Sequence, residues 1–183
     1  MVKESFIIRT VISSQLMKRT LLTGFAIALI GILGLLLGGI FLSLLSLQTW
    51  GLTLFLLSLG LITWGLLPYR RLSSLQLKPN EFSLVDADHL AFYAKGKKMM
   101  TIPLKSIDRL SYISQATLYG IAFWLKPQPA SPVIIHQRAS EVYALRQKGH
   151  QLGADLFFPY FNQRAYDELV EWYQEERIDQ RPL

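Results

Sequence analysis

The sequence predicts a membrane-anchored α+β protein: a hairpin of two transmembrane helices, then an antiparallel β-sandwich or partly open barrel closed by a C-terminal amphipathic helix. Three observations carry that expectation. No Lys, Arg, Asp, Glu or His occurs between Thr20 and Tyr69. Past Arg71 the apolar residues recur with a period of two, and turn residues interrupt them at short intervals. Near the end, Ala165, Leu169 and Trp172, with Tyr166, Val170 and Tyr173, fall on one broad face of a helix. The expected divisions are a cytoplasmic arm over residues 1–19, the hairpin over 20–69 and a cytoplasmic domain over 70–183.

The hairpin comes first. A spanning helix needs about 20 apolar residues, because each adds about 1.5 Å across a core roughly 30 Å thick. Leu21–Leu47 supplies one pass and Leu52–Leu67 a second, with the polar Gln48-Thr49-Trp50-Gly51 read as the turn between them. A single helix over the whole uncharged stretch would reach about 75 Å, so two antiparallel passes are expected. The stretch also far exceeds the h-region of a cleaved signal peptide. Lys18-Arg19 precede the first pass and Arg70-Arg71 follow the second. Basic flanks stay on the cytoplasmic side, which predicts an integral membrane protein with both termini cytoplasmic; a bacterial inner membrane is the expected location, and the flanks do not separate it from a host-derived one.

Glycines punctuate the first pass. Gly24, Gly31 and Gly38 recur every seven residues, and Gly34 with Gly38 forms a small-xxx-small pair. Gly31, Gly34 and Gly38 are therefore candidate helix-packing residues, since small side chains let backbones approach closely in lipid. They suit either the second pass, which offers Ser58 and Gly60, or another copy or membrane partner.

Composition narrows the rest. Hydrophobic residues make up 51% and charged residues 17% of the 183, with a formal charge of +6. From Arg70 onward 15 basic residues face 12 acidic ones, too even a balance for the dense basic stripe of a nucleic-acid-binding protein. No cysteine is present, which removes disulfides, thiolate metal sites and cysteine nucleophiles.

The domain is expected to run as short strands. Leu72–Leu77 begins extended and stops at Lys78-Pro79-Asn80; Glu81–Val85 is a strand with Asp86-Ala87-Asp88 as its turn. His89–Ala94 and Met99–Ile102 flank a tight hairpin at Lys95-Gly96-Lys97. Leu104–Ile113, Leu118–Lys126 and Val133–Gln137 follow, with Pro127–Pro132 a stiff loop. Ser140–Lys148 reads as a short helix capped by Ser140 and ended by Gly149. Ala154–Tyr160 is one more strand, Asn162 caps the amphipathic helix, and Asp179–Leu183 is a polar tail.

The run Leu84-Val85, then Lys97-Lys98-Met99-Met100-Thr101-Ile102-Pro103-Leu104-Lys105-Ser106-Ile107-Asp108-Arg109-Leu110, is similar to the recurring strand–turn–strand of the bacterial pleckstrin-homology-like membrane proteins. In that family an I-P-L-x-x-I segment opens a long strand after a basic hairpin. The resemblance spans most of residues 72–176 and implies a pleckstrin-homology-like domain behind a two-helix anchor. The helix at Ser140–Lys148 departs from the family's pattern. In architecture alone the chain also resembles the chlamydial inclusion-membrane proteins, which carry a hydrophobic hairpin with both ends cytosolic.

Motifs for chemistry are sparse. Neither G-x-S-x-G nor a phosphate-cradling G-x-x-x-x-G-K-[ST] occurs. Asp88 and His89 are adjacent and so point to opposite strand faces, which argues against a metal cluster there. His136 reads as a strand residue on the wetter face, and His150 as the cation after a helix end. The acids of the last helix, including Glu175 and Glu176, read as its solvated face. No enzyme and no cofactor are expected.

Lys95, Lys97 and Lys98, with Lys105 and Arg109 as further members, are the candidate contact for anionic lipid headgroups; the alternative is an ordinary solvated turn. Phe157, Phe158, Tyr160 and Phe161 are expected to pack the core. The expected function is a non-enzymatic, membrane-anchored interaction or scaffold module. Its partners would be membrane lipids and a protein partner or a second copy, not nucleic acid. A structural subunit packed through the glycine-rich helix, or a lipid-responsive module, are the alternatives.

Overall fold

The structure is a computed structural model that describes residues 6–85, 88–115, 118–127, 132–136 and 139–179. Two compact units emerge: residues 13–76, and the described residues up to Ile12 together with those from Leu77 onward.

The helical unit consists of α1 (Ser14–Phe41) and α2 (Leu44–Leu77), of 28 and 34 residues. Both are long and apolar enough to cross a membrane, and only 22% and 11% of their most apolar windows are buried. Ser13 caps α1, its hydroxyl accepting from the Leu16 amide at 3.2 Å. The turn is not at Gln48–Gly51, as the polar run suggested, but at Leu42–Ser43. The Ser43 hydroxyl accepts from the Ser46 amide at 3.3 Å and so caps α2. Gln48–Gly51 lie inside α2, where Thr49 returns its hydroxyl to the carbonyls of Leu45 and Ser46, both at 3.1 Å. A hydroxyl satisfied within its own helix need not mark a break. Pro68 likewise leaves α2 unbroken, and the helix continues through Leu72–Leu77, which was expected to be extended.

The second unit is built of two antiparallel sheets and two helices. One sheet orders β1 (Ile7–Arg9), β2 (Glu81–Val85), β3 (His89–Ala94), β4 (Lys97–Pro103) and β7 (Ile134–Ile135); the other orders β5 (Ile107–Ser114), β6 (Tyr119–Leu125) and β8 (Leu156–Pro159). The N-terminal arm is thus not a separate segment. It adds β1 to the edge of β2, pairing Ile7 with Ser83 and Arg9 with Glu81, and it buries Ile8 at 3% exposure.

Aromatic rings fill the space between the sheets. Phe158 of β8 lies 4.8 Å from Phe82 and from Phe92, and 5.0 Å from Phe123. All four are 2% exposed or less. Edge-on and tilted pairs at these separations are the favoured ring geometries. Leu104–Ser106 form a short 3-10 turn before β5 rather than the start of the strand.

The C-terminal helix α4 (Gln163–Asp179) is capped as expected, Asn162 Oδ1 accepting from the Ala165 amide at 2.9 Å. Ala165 and Leu169 are buried, Trp172 stacks on Phe6 at 5.3 Å, and the Tyr173 hydroxyl donates to the Ile107 carbonyl at 3.1 Å. Helix α3 (Ala139–Gln151) is longer than expected and packs on β8. Gly149 does not end it. A side chain there would meet the backbone of Ala154, Asp155 and Leu156 at 2.9–3.0 Å. The ending is instead at Gly153, with φ +71, where the Ala154 amide donates to the Gly149 carbonyl and the Gly153 amide to that of His150. That is the Schellman pattern, which favours glycine at the left-handed position. Parts of the Asp86–Asp88 turn, the Pro127–Pro132 loop, the Val133–Gln137 stretch and the tail after Asp179 lie outside the described residues.

Candidate functional site

Between α1 and α2 the contacts are made by the smallest residues. A side chain at Gly24 would run into the Gly65 carbonyl oxygen, and one at Gly31 would lie 2.8 Å from the Ser58 carbonyl oxygen. Gly34 would meet Ser58 Oγ at 3.5 Å and Gly38 would run into Leu54. The candidate packing residues Gly31, Gly34 and Gly38 therefore face α2 of the same chain. Of the two partners the sequence offered on the second pass, Ser58 meets Gly31 and Gly34, whereas Gly60 has nothing within 4 Å; Gly65 packs on Gly24 instead.

These contacts fix an antiparallel register with a consequence for charge. Five residues before Gly24 is Arg19, and five residues after Gly65 is Arg70. Lys18-Arg19 and Arg70-Arg71 thus stand level with each other, within about one helical turn of 5.4 Å. From that level to the Leu42–Ser43 turn, α1 is uncharged for about 33 Å, close to the hydrocarbon thickness of a bilayer.

In the β unit the turn between β3 and β4 is built by Lys95 and Gly96, with φ of 53 and 77. Two positive values between paired strands make the type I′ turn, whose twist matches that of the strands. Ala94 pairs with Lys97 and Tyr93 with Lys98, and a register shift follows between Phe92 and Tyr93. The shift leaves Met99 as an extra residue, so Met99 and Met100 are both buried although adjacent. Lys95 and Lys97 project as exposed side chains and Lys98 is half-buried.

The wider basic cluster does not assemble. Lys105 lies at the other end of the same strand pair, where His89 pairs with Pro103, and it sits 3.8 Å from Asp88. Six strand residues separate the two ends by about 20 Å. The Arg109 guanidinium rests 4.0 Å above the Trp124 ring in the other sheet, a cation–π contact. Trp124 is in turn held by its indole N–H, which donates to the Gly153 carbonyl at 2.6 Å.

The three histidines are dispersed over β3, the segment after β7, and α3. His136 Nε2 shares a hydrogen bond of 2.8 Å with Thr101 Oγ1, and His150 is exposed. Among the described residues no group of three His, Asp or Glu side chains is close enough to hold a metal ion. Two tyrosines have hydroxyls held above their ordinary range. Burial raises Tyr160, reinforced by Tyr119, and burial raises Tyr112, partly offset by a hydrogen bond with Ser114.

One surface escaped the sequence reading. Ile134 and Ile135 are 47% and 42% exposed, and Tyr143 of α3 is 66% exposed. Ile135, Ser140, Val142, Tyr143 and Arg146 line a shallow groove of about 350 Å³ beside the short edge strand β7. Val133–Gln137 reads in sequence as a strand; only Ile134 and Ile135 pair with β4, and both side chains are exposed. Phe157, Phe158 and Phe161, by contrast, are in the core with no ring surface free. No protein-family model matches the chain, and neither the curated proteins nor the solved structures yield a relative.

Proposed function

We propose that the chain is a membrane-anchored, non-enzymatic interaction module, with a pleckstrin-homology-like domain presented at the cytoplasmic face of a bacterial inner membrane. The observation that carries the reading is the pairing of β1 with β2. The Thr10 amide donates to the Asn80 carbonyl at 2.8 Å and the Asn80 amide to Thr10 Oγ1 at 3.0 Å. The chain therefore leaves the domain for α1 and returns from α2 at adjacent points of one sheet. Helices that begin and end at one place must cross a bilayer an even number of times, so both ends lie on one side. The level set of Lys18, Arg19, Arg70 and Arg71 supports the cytoplasmic side.

The apolar surface of the helices supports insertion. Leu22, Phe25, Leu36, Ile40 and Phe41 are all more than half exposed, an arrangement that water penalises and lipid does not. Two antiparallel sheets with a helix after the last strand support the pleckstrin-like reading; β1 and α3 are additions to it. The groove beside β7 is the surface offered to a protein partner, through the unpaired edge of a very short strand and the Tyr143 ring.

The test is purification of the full-length chain from its native membrane in mild detergent, with everything that remains in stoichiometric amount identified. A partner retained by the native chain and lost from Ile135→Asp, with the domain still folded, is the expected result. Release by alkaline carbonate would remove the anchor. A turnover abolished by one substitution would make the protein an enzyme and end the reading.

A further inference from the structure

We infer that the open edge of β7 takes an extended protein segment as one more strand, and that this segment carries an acidic side chain where it passes α3; the inference rests on the partner reading above and names the partner's chemistry. The backbone defines the first half. The His136 amide donates to the Met99 carbonyl at 2.9 Å, and Ile134 and Ile135 pair with Thr101 and Met100. Along an antiparallel pair, hydrogen-bonded and non-hydrogen-bonded positions alternate. Ile134 and His136 therefore turn their amides and carbonyls toward β4, and Ile135 turns both of its own away. β7 is the last strand of its sheet, and the Ile135 backbone makes no hydrogen bond with another described residue. A donor and an acceptor on one residue of an open edge match the backbone of an added strand.

Side chains define the second half. Helix α3, which walls the groove, is an addition to the pleckstrin-like pattern. Ile135, Val142, Tyr143 and Arg146 meet in the groove, and Tyr143 and Arg146 also line a second hollow of about 540 Å³ with Gln147 and His150. The two hollows thus share one pair of side chains. Among the described residues lining them none is acidic, and no described carboxylate lies within ion-pair distance of Arg146. Glu141, the acid of α3, stands two residues before Tyr143, about 200° round the helix. An apolar floor at Ile135 beside an unpaired guanidinium suits an apolar residue followed by a carboxylate. A second copy of this chain is the poorer occupant, because β7 against β7 would set Arg146 beside its own duplicate.

The test uses the full chain in mild detergent and two fluorescent heptapeptides, in which valine alternates with threonine and the end is two glutamates or two glutamines. Anisotropy should show the glutamate peptide binding roughly ten- to hundredfold more tightly, the range of one charge-assisted hydrogen bond. Arg146→Gln, on an exposed side chain, should bring the two affinities together. Amide hydrogen exchange should slow on binding at Ile135 more than at His136, whose amide is already bonded to β4. Ile135→Pro should abolish binding with the pairing to β4 intact, since the donor it removes points outward. Equal affinity for the two peptides would overturn the acidic assignment. No binding, or binding without protection of the Ile135 amide, would overturn the added strand. Protection that grows with chain concentration in the absence of peptide would make a second copy the occupant and overturn the inference. In each of these cases a native partner lost from Ile135→Asp would leave the broader reading standing; a native partner indifferent to that substitution would remove this groove from it.

Discussion

In the β unit the large rings are inside; in the helical hairpin many large side chains are outside, and it is small residues that are buried between the helices. Phe82, Phe123, Phe157, Phe158 and Phe161 have no exposed surface, whereas Gly24, Gly31 and Gly65 are among the few buried residues of α1 and α2. On the membrane reading proposed above, the two halves answer to different solvents. Water drives apolar area together, so the domain is held by what its rings remove from water. Between apolar helices in lipid no such force acts, and close backbone approach is what remains.

The sharpest way to break that contrast is to cut one large side chain from each half. Phe158→Ala removes a ring in contact with three others and should cost roughly 3–5 kcal/mol in denaturant unfolding of the domain. Leu36→Ala, on a side chain 56% exposed, should leave the stability of the detergent-embedded hairpin nearly unchanged. If Leu36→Ala costs as much as Phe158→Ala, the outer face of α1 is packed against protein.

A second substitution tests where the boundary between the halves runs. Ile8→Ala empties a side chain of the arm that packs in the domain core, and should cost about 2–4 kcal/mol of domain stability. A fragment beginning at Leu77 should be destabilised further, because it also lacks the Phe6 ring stacked on Trp172. An unchanged fragment would show β1 to be dispensable.

The hairpin has its own test. At Gly65 a side chain would press on the Ala28 amide at 3.1 Å and on the Gly24 carbonyl, neither of which can move without the helix. Gly65→Val should cost about 1–3 kcal/mol as an overpacked contact, read as easier separation of α1 from α2 by cysteine cross-linking. Gly60→Val, with open space around it, should be silent. If the two behave alike, the helices do not pack through this stripe.

Most of the architecture was legible in the sequence because period and charge report it directly. The uncharged block, the strand pattern after Asn80, the Lys95-Gly96 turn and the Asn162 cap are all local signals. What escaped is non-local or masked by local satisfaction. Nothing in Ile7-Ile8-Arg9 distinguishes a three-residue edge strand from a loose arm; only its partner β2, some seventy residues on, makes it a strand. Gln48–Gly51 looked like a turn because polar residues interrupted an apolar run, yet Thr49 satisfies its hydroxyl inside the helix, while the inconspicuous Ser43-x-x-Ser46 caps the real one. At the candidate site, the lysine turn followed from its residues. The separation of Lys105 and Arg109 from it did not, since that depends on which strand ends meet.

The smallest expected effect concerns the tyrosines, and it too divides the halves. Tyr160 is a β-unit residue whose hydroxyl is raised above its ordinary value of 10.0 by burial and by Tyr119. A raised acid keeps its proton longer in the folded state than in the unfolded one. Its contribution is therefore whole below the unfolded value and falls away as pH rises through the folded one. Domain stability should decline above pH 10 more steeply in the native chain than in Tyr160→Phe, with a residual slope from Tyr112, which is raised in the same direction. Denaturant midpoints across that range measure it. The hairpin, whose one tyrosine is Tyr69, should keep its helical signal throughout, because its packing rests on glycine contacts that do not titrate. Equal slopes for the native chain and Tyr160→Phe would mean that this hydroxyl is hydrated in the folded domain.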